Sequence, residues 1–197
     1  FMINVRKQNK PSYECMMNAE TALALCKRAS ENEFKEYHCS TGLVFLAFAV
    51  EAMFIFYRRQ VDPTYDKKKD KTCRKDFHKK TLKMCGIDDL MGLNDYQIIR
   101  KCLRLRDEIA HGDFFESSFD YVPKDLDVHD KQIIDITSKS SKQFRDVTLK
   151  ILEEGIKSAK NIDNFICDNG YKADEKTERE YLPKLQPAFG VTGISVW

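Results

Sequence analysis

Apolar side chains recur every three or four positions over long stretches of this chain, and only 8 glycines and 5 prolines interrupt them. That period keeps one side of a helix apolar, so the pattern predicts an all-α protein, an up-and-down bundle of about five helices. A first helix is expected from Ser12, whose hydroxyl is placed to cap the backbone donors of the following turn. Its apolar face carries Tyr13, Met16, Met17, Ala22, Leu23 and Leu25 and ends near Ala29. A second helix is expected from Ser40 or Thr41 to Arg59. It is apolar on nearly every side, the mark of a central helix, and its closing Arg58 and Arg59 favour the helix dipole.

The middle of the chain is mixed. A turn at Val61 to Asp66 precedes a shorter helix, Lys75 to Cys85, stopped by Gly86. The next helix opens after Asn94 or Asp95 and closes at Gly112 in the position of a C-cap glycine. Its stripe is Tyr96, Ile99, Cys102, Leu103, Ile109 and Ala110, with Arg106 on the same side. A last long helix is expected from about Ser141 to Cys167. Residues 1–170 thus read as one helical-bundle domain and 171–197 as a polar tail ending in the apolar VTGISVW.

The 197 residues suffice for a core without disulfides or a structural metal. With 33 Lys and Arg against 31 Asp and Glu, the net charge of +2 excludes a protein that coats nucleic acid over its whole surface. The charge is arranged in blocks instead. Between Lys67 and Lys83 stand nine Lys or Arg and two Asp, a candidate RNA-backbone track of Lys67, Lys68, Lys69, Lys71, Arg74, Lys75, Lys79 and Lys80, or else a solvated mobile loop. After Gly112 the sign flips, with Asp113, Glu116, Asp120, Asp125, Asp127 and Asp130 set against Lys124.

Seven scattered cysteines, with no C-x-x-C pair, read as reduced thiols and a cytoplasmic protein. The opening FMINVRKQNK lacks the apolar run of a signal peptide. Leu43 to Tyr57, interrupted by Glu51, is shorter than a spanning helix needs, so a buried core helix is expected and no membrane. Neither His38, His78 nor His129 has a ligand at zinc spacing, and no phosphate loop or hydrolase elbow is present. No metal and no cofactor are therefore expected.

The chemistry concentrates in RDEIAHG, Arg106 to Gly112. Attack by a ribose 2'-hydroxyl on the adjacent phosphorus needs a base that titrates near neutrality, which histidine supplies. The more negative transition state needs a permanent planar cation, and a guanidinium fork matches phosphate oxygens. Five residues of helix turn by about 500°, so Arg106 and His111 would diverge by about 140°. His111 must therefore act from the last turn beside Gly112. Asp107 is placed to orient a neighbouring Arg or His, or to bind ribose. The competing reading is structural: Arg106 on an apolar stripe can snorkel or pair with a buried acid such as Glu51.

These residues resemble the HEPN domain family, helical bundles marked by Arg, a polar residue and a His four to six positions beyond the Arg. Arg106, Asp107 and His111 match that motif, and Ile109 to Gly112 is its usual ending. Ala49 to Phe54 is similar to the family's second helix with its acidic residue, and Phe77 to Gly86 to the segment before the motif helix. The resemblance spans roughly residues 12 to 167. It implies a metal-independent endoribonuclease with Arg106 and His111 catalytic and Asp107 supporting. The cleft would lie between the protomers of a homodimer, in antiviral defence or a toxin–antitoxin system with an antitoxin or regulatory protein as partner. Some HEPN toxins carry a tyrosine two residues after the histidine that an antitoxin modifies. Asp113 stands there instead, leaving that inhibition without its target. Other family members are non-catalytic modules that bind RNA or a partner protein.

Overall fold

The most apolar stretch of the sequence becomes the axis of the molecule. In the computed structural model, which describes residues 5–7, 9–30, 35–87, 90–112, 142–172, 183–190 and 194–196, this stretch is helix α2, Lys35–Val61. Leu43, Leu46, Ala49, Val50, Met53, Phe54 and Tyr57 along it are fully buried. Burying each large side chain contributes roughly 1.5–3 kcal/mol, which is why this helix holds the centre. By length and composition α2 is enough to cross a membrane, and 56% of its most apolar window is buried inside the fold.

Around it pack α1 (Pro11–Arg28), α3 (Arg74–Met84), α4 (Asn94–His111), the short α5 (Lys142–Arg145) and α6 (Leu149–Asn169). A single 3-10 turn, Leu90–Gly92, leads into α4. The described residues are mostly helical, as the periodicity predicts. Outside the helices they include one two-stranded antiparallel pair, β1 (Val5–Lys7) with β2 (Ile194–Val196). Gly155 lets α6 approach α2 and α4 closely. A Cβ there would meet Leu46 Cδ2 and Cys102 Sγ at 2.7 Å, so a side chain would require these two packed groups to shift.

Several local expectations change. α2 begins at Lys35 rather than Ser40, taking in the polar KEYHC turn. The helix expected from Ser141 to Cys167 is broken. α5 ends at Arg145, buried Val147 turns the chain inward, and the Thr148 hydroxyl accepts the Ile151 amide at 3.3 Å to start α6. Ser12 caps nothing. Pro11 opens α1, and the buried Ser12 hydroxyl donates to Ala188 O at 2.7 Å. The expectation that all thiols are reduced also fails. Cys26 near the end of α1 and Cys39 near the start of α2 form a buried disulfide, because the α1–α2 hairpin brings their Cα atoms within 5.8 Å.

The described part of the C-terminal segment is no free tail. Leu185 and Ala188 are buried in the core. The carboxylate of Asp163 on α6, itself buried, accepts the Ala188 and Phe189 amides at 2.8 and 3.0 Å and the Tyr57 hydroxyl at 2.5 Å. Burial beside that carboxylate pushes the Tyr57 phenol far above its ordinary pKa, so it stays a donor. Lys10 Nζ donates to Pro187 O at 3.1 Å on the same strap. The acidic block at 113–130, the tail's 173–182 and His129 lie outside the described residues.

Candidate active site

α4 carries the motif, and its end is built as the sequence implies. Gly112 adopts φ 58° and ψ 43°, the left-handed conformation that terminates a helix and that other residues enter at a cost. Its stripe of Tyr96, Ile99, Cys102, Leu103 and Leu105 is buried against the bundle, while Ala110, expected on it, is exposed. Leu105 was absent from the expected stripe.

Arg106 is 15% exposed and pairs with Glu51 of α2 through Nη2. Its Nη1 lies 3.5 Å from Asp107, and its plane sits 5.6 Å above the half-exposed Phe48 ring. Asp107 binds Arg74 of α3 through both carboxylate oxygens at 2.7 and 3.0 Å, and Arg74 in turn lies 3.2 Å from Glu51. Two cations and two carboxylates therefore alternate in a closed ring joining α2, α3 and α4. The bond from Arg74, then the positive charges of Arg74 and Arg106, hold the Asp107 carboxyl below its ordinary pKa. The same bond raises Arg74. Removing one member would strand a partly buried charge, so the ring orients Arg106 firmly.

His111 is exposed on the last turn of α4. It stands four residues from Asp107 on the same side of the helix and is near enough to act on that carboxylate's charge. Arg106 thus leans to Asp107, and His111 lies one turn further along the same side of the helix.

The basic block divides. Lys67 sits 5.3 Å over the Phe77 ring, Lys69 pairs with Asp66 at 3.7 Å, and Lys68, Lys71, Lys79 and Lys80 are exposed. The loop bearing the first four is ordered by three successive Asx turns. Asp62, Asp66 and Asp70 accept the amides of Thr64, Lys68 and Thr72 at 3.2, 3.0 and 2.9 Å. Only Arg74 and Lys75 of the block reach a concavity shared with α4. There they join Arg100, Lys101 and Arg104 around a groove of about 500 Å³ in which, among the described residues, no carboxylate is a lining group. The three α4 cations escaped the sequence reading. Their signal was available: Gln97, Arg100, Arg104, Asp107 and His111 recur at spacings of three and four, a polar stripe beside the apolar one.

The floor of the groove is His78 and Tyr96. His78 is 1% exposed, stacks on Phe54 with centroids 3.7 Å apart, and its Nδ1 bonds the Tyr96 hydroxyl at 3.0 Å. Burial, with Arg74 and Lys67 nearby, lowers its pKa to about 3, so it is a neutral packing group. Comparison with protein-family models, with curated proteins and with solved structures finds no match.

Proposed function

We propose that this protein is a metal-independent endoribonuclease of the HEPN type, acting as a homodimer. The observation that carries the reading is the open end of α4. An oriented arginine and an exposed histidine flank one carboxylate there, and none of the three is sealed in the core. In the reaction, His111 takes the proton of a ribose 2'-hydroxyl while that oxygen attacks the adjacent phosphorus. The P–O5' bond breaks, the 5'-oxygen takes a proton, and a 2',3'-cyclic phosphate remains. Arg106 offers guanidinium donors to the phosphate oxygens as charge builds. Asp107 is a positioning residue, held by Arg74. One imidazole cannot readily be base and acid in the same turnover, and a two-fold dimer would supply the second from the other copy. A role in antiviral defence or beside an antitoxin belongs to the same proposal.

A second reading has its own support. Both Nη atoms of Arg106 already face carboxylates, a structural pairing that fits a non-catalytic module binding RNA or a partner protein through other residues. Incubation of purified protein with RNA in EDTA separates the two. The parent should cleave, and Arg106→Ala and His111→Ala should each lose about 100-fold or more. Undiminished cleavage by both variants would refute the assignment. RNA binding without cleavage by the parent would favour the second reading.

A further inference from the structure

The groove between α3 and α4 has no task in the chemistry above. Arg74, Lys75, Arg100, Lys101 and Arg104 line it, although the chain as a whole is nearly neutral. Lysines and arginines on a protein surface normally sit among acids that screen them, and here the acids are spoken for. Glu51 and Asp107 are held in the ring with Arg74 and Arg106, and Glu108 reaches Arg104 at 3.5 Å from outside the groove. The exposed Lys75, Arg100 and Lys101, which have no ion pair among the described residues, therefore present a local positive field in a concavity, where it is focused, and Arg104 adds a charge that it shares with Glu108. The side that bears Arg100 and Arg104 also continues, through Asp107, to His111. Eleven residues of helix rise span about 16 Å, so the cations form a track that leads to the reactive histidine.

We infer that this groove binds the phosphodiester backbone of single-stranded RNA and lays the strand along α4 toward His111, with Arg100, Lys101 and Arg104 as the principal contacts. The inference rests on the ribonuclease reading for its choice of ligand. Its character follows from what lines the floor. Tyr96 is 2% exposed and His78 is sealed beneath it, so neither ring offers a face for base stacking. Recognition is then by phosphates alone, insensitive to sequence and steeply dependent on salt.

The experiment uses the full chain with His111→Ala, which prevents turnover, and a fluorescent oligouridylate read by anisotropy between about 50 and 200 mM salt. Adding Arg100→Glu, Lys101→Glu and Arg104→Glu together should weaken binding about tenfold or more. The slope of log affinity against log salt should become shallower by about 2, since each single-strand phosphate contact contributes about 0.7. Reversal of the exposed Lys157 on α6 should change neither. Circular dichroism checks the fold, and the corresponding triple Gln variant gives the same test without charge reversal. Unchanged affinity and slope in both triples would overturn the inference. So would competition by polyglutamate as strong as that by unlabelled RNA, which would mark the groove as a site for an acidic protein. The two proposals fail separately. Loss of binding in the triples, with no cleavage by the wild type, leaves the groove standing and removes the nuclease. Cleavage with unchanged KM by the same triple substitutions made in the chain that keeps His111 does the reverse.

Discussion

His78 should make this protein lose stability on mild acidification, by an amount that can be worked out from its surroundings. In the unfolded chain its imidazole takes up a proton near the ordinary pKa of 6.5; in the folded chain, sealed against Phe54 and beside Arg74 and Lys67, it resists protonation down to about 3. Between these values the unfolded state binds the extra proton, so falling pH favours unfolding. Each pH unit is worth about 1.4 kcal/mol, and pH 5 lies 1.5 units below the unfolded value, giving a loss of about 2 kcal/mol between pH 7 and pH 5. The contribution is fully retained only above about pH 6.5. The perturbation is His78→Phe, which keeps the stack on Phe54 and removes the titrating group. It leaves the Tyr96 hydroxyl without its partner, at a pH-independent cost of about 1–3 kcal/mol. Urea unfolding of both proteins at pH 7, 6 and 5 reads the result. The wild type should fall more steeply than the variant, and the gap between them should narrow by about 2 kcal/mol. Parallel curves would show that His78 is accessible to protons in the folded state, which would contradict the packing described.

Two further outcomes follow from long-range contacts. Asp163→Asn keeps the shape but exchanges one acceptor for a donor facing backbone amides, and should cost about 1–3 kcal/mol while making residues 183–190 the first amides to exchange hydrogen. Cys26→Ser with Cys39→Ser, or reduction of the wild type, should lower stability by about 3 kcal/mol, the loop-closure value for a bridge across a sequence separation of 13. Denaturant melts with and without reductant measure it, and a double variant indifferent to reductant provides the control.

What the sequence could reveal was decided by distance along the chain. The bounds of α4 and most of its stripe were readable, Leu105 and Ala110 excepted, because its start near Asn94, its apolar period and its terminating Gly112 are all local signals. Glu51 was identifiable as a partner for Arg106 because an arginine on an apolar stripe needs an acid near it. The break between α5 and α6 was not readable: the apolar period runs on through Val147, and the Thr148 cap is visible only once the helix start is known. The Ser12 expectation failed because a carbonyl 176 residues away competed for its hydroxyl. The disulfide was hidden for the same reason, since Cys26 and Cys39 meet only when α1 and α2 fold back on each other. At the site, motif and basic block were both visible, yet their relation was not. Whether Arg74 serves RNA or Asp107 depends on where α3 lies against α4.

The pairing of β1 with β2 has a mechanical meaning. Val5 stands opposite Val196 and Lys7 opposite Ile194, so the outer ends of both strands lie at the same side of the ladder. A force drawing the two ends apart would open the ladder like a zipper, one rung at a time, instead of shearing all rungs together. The load would then pass to the strap, where Lys10 holds Pro187, Ser12 holds Ala188 and Asp163 holds the amides behind it. A molecule pulled in this way would yield in two stages, a weak peel followed by a firmer one, with the helices intact until the second gives way.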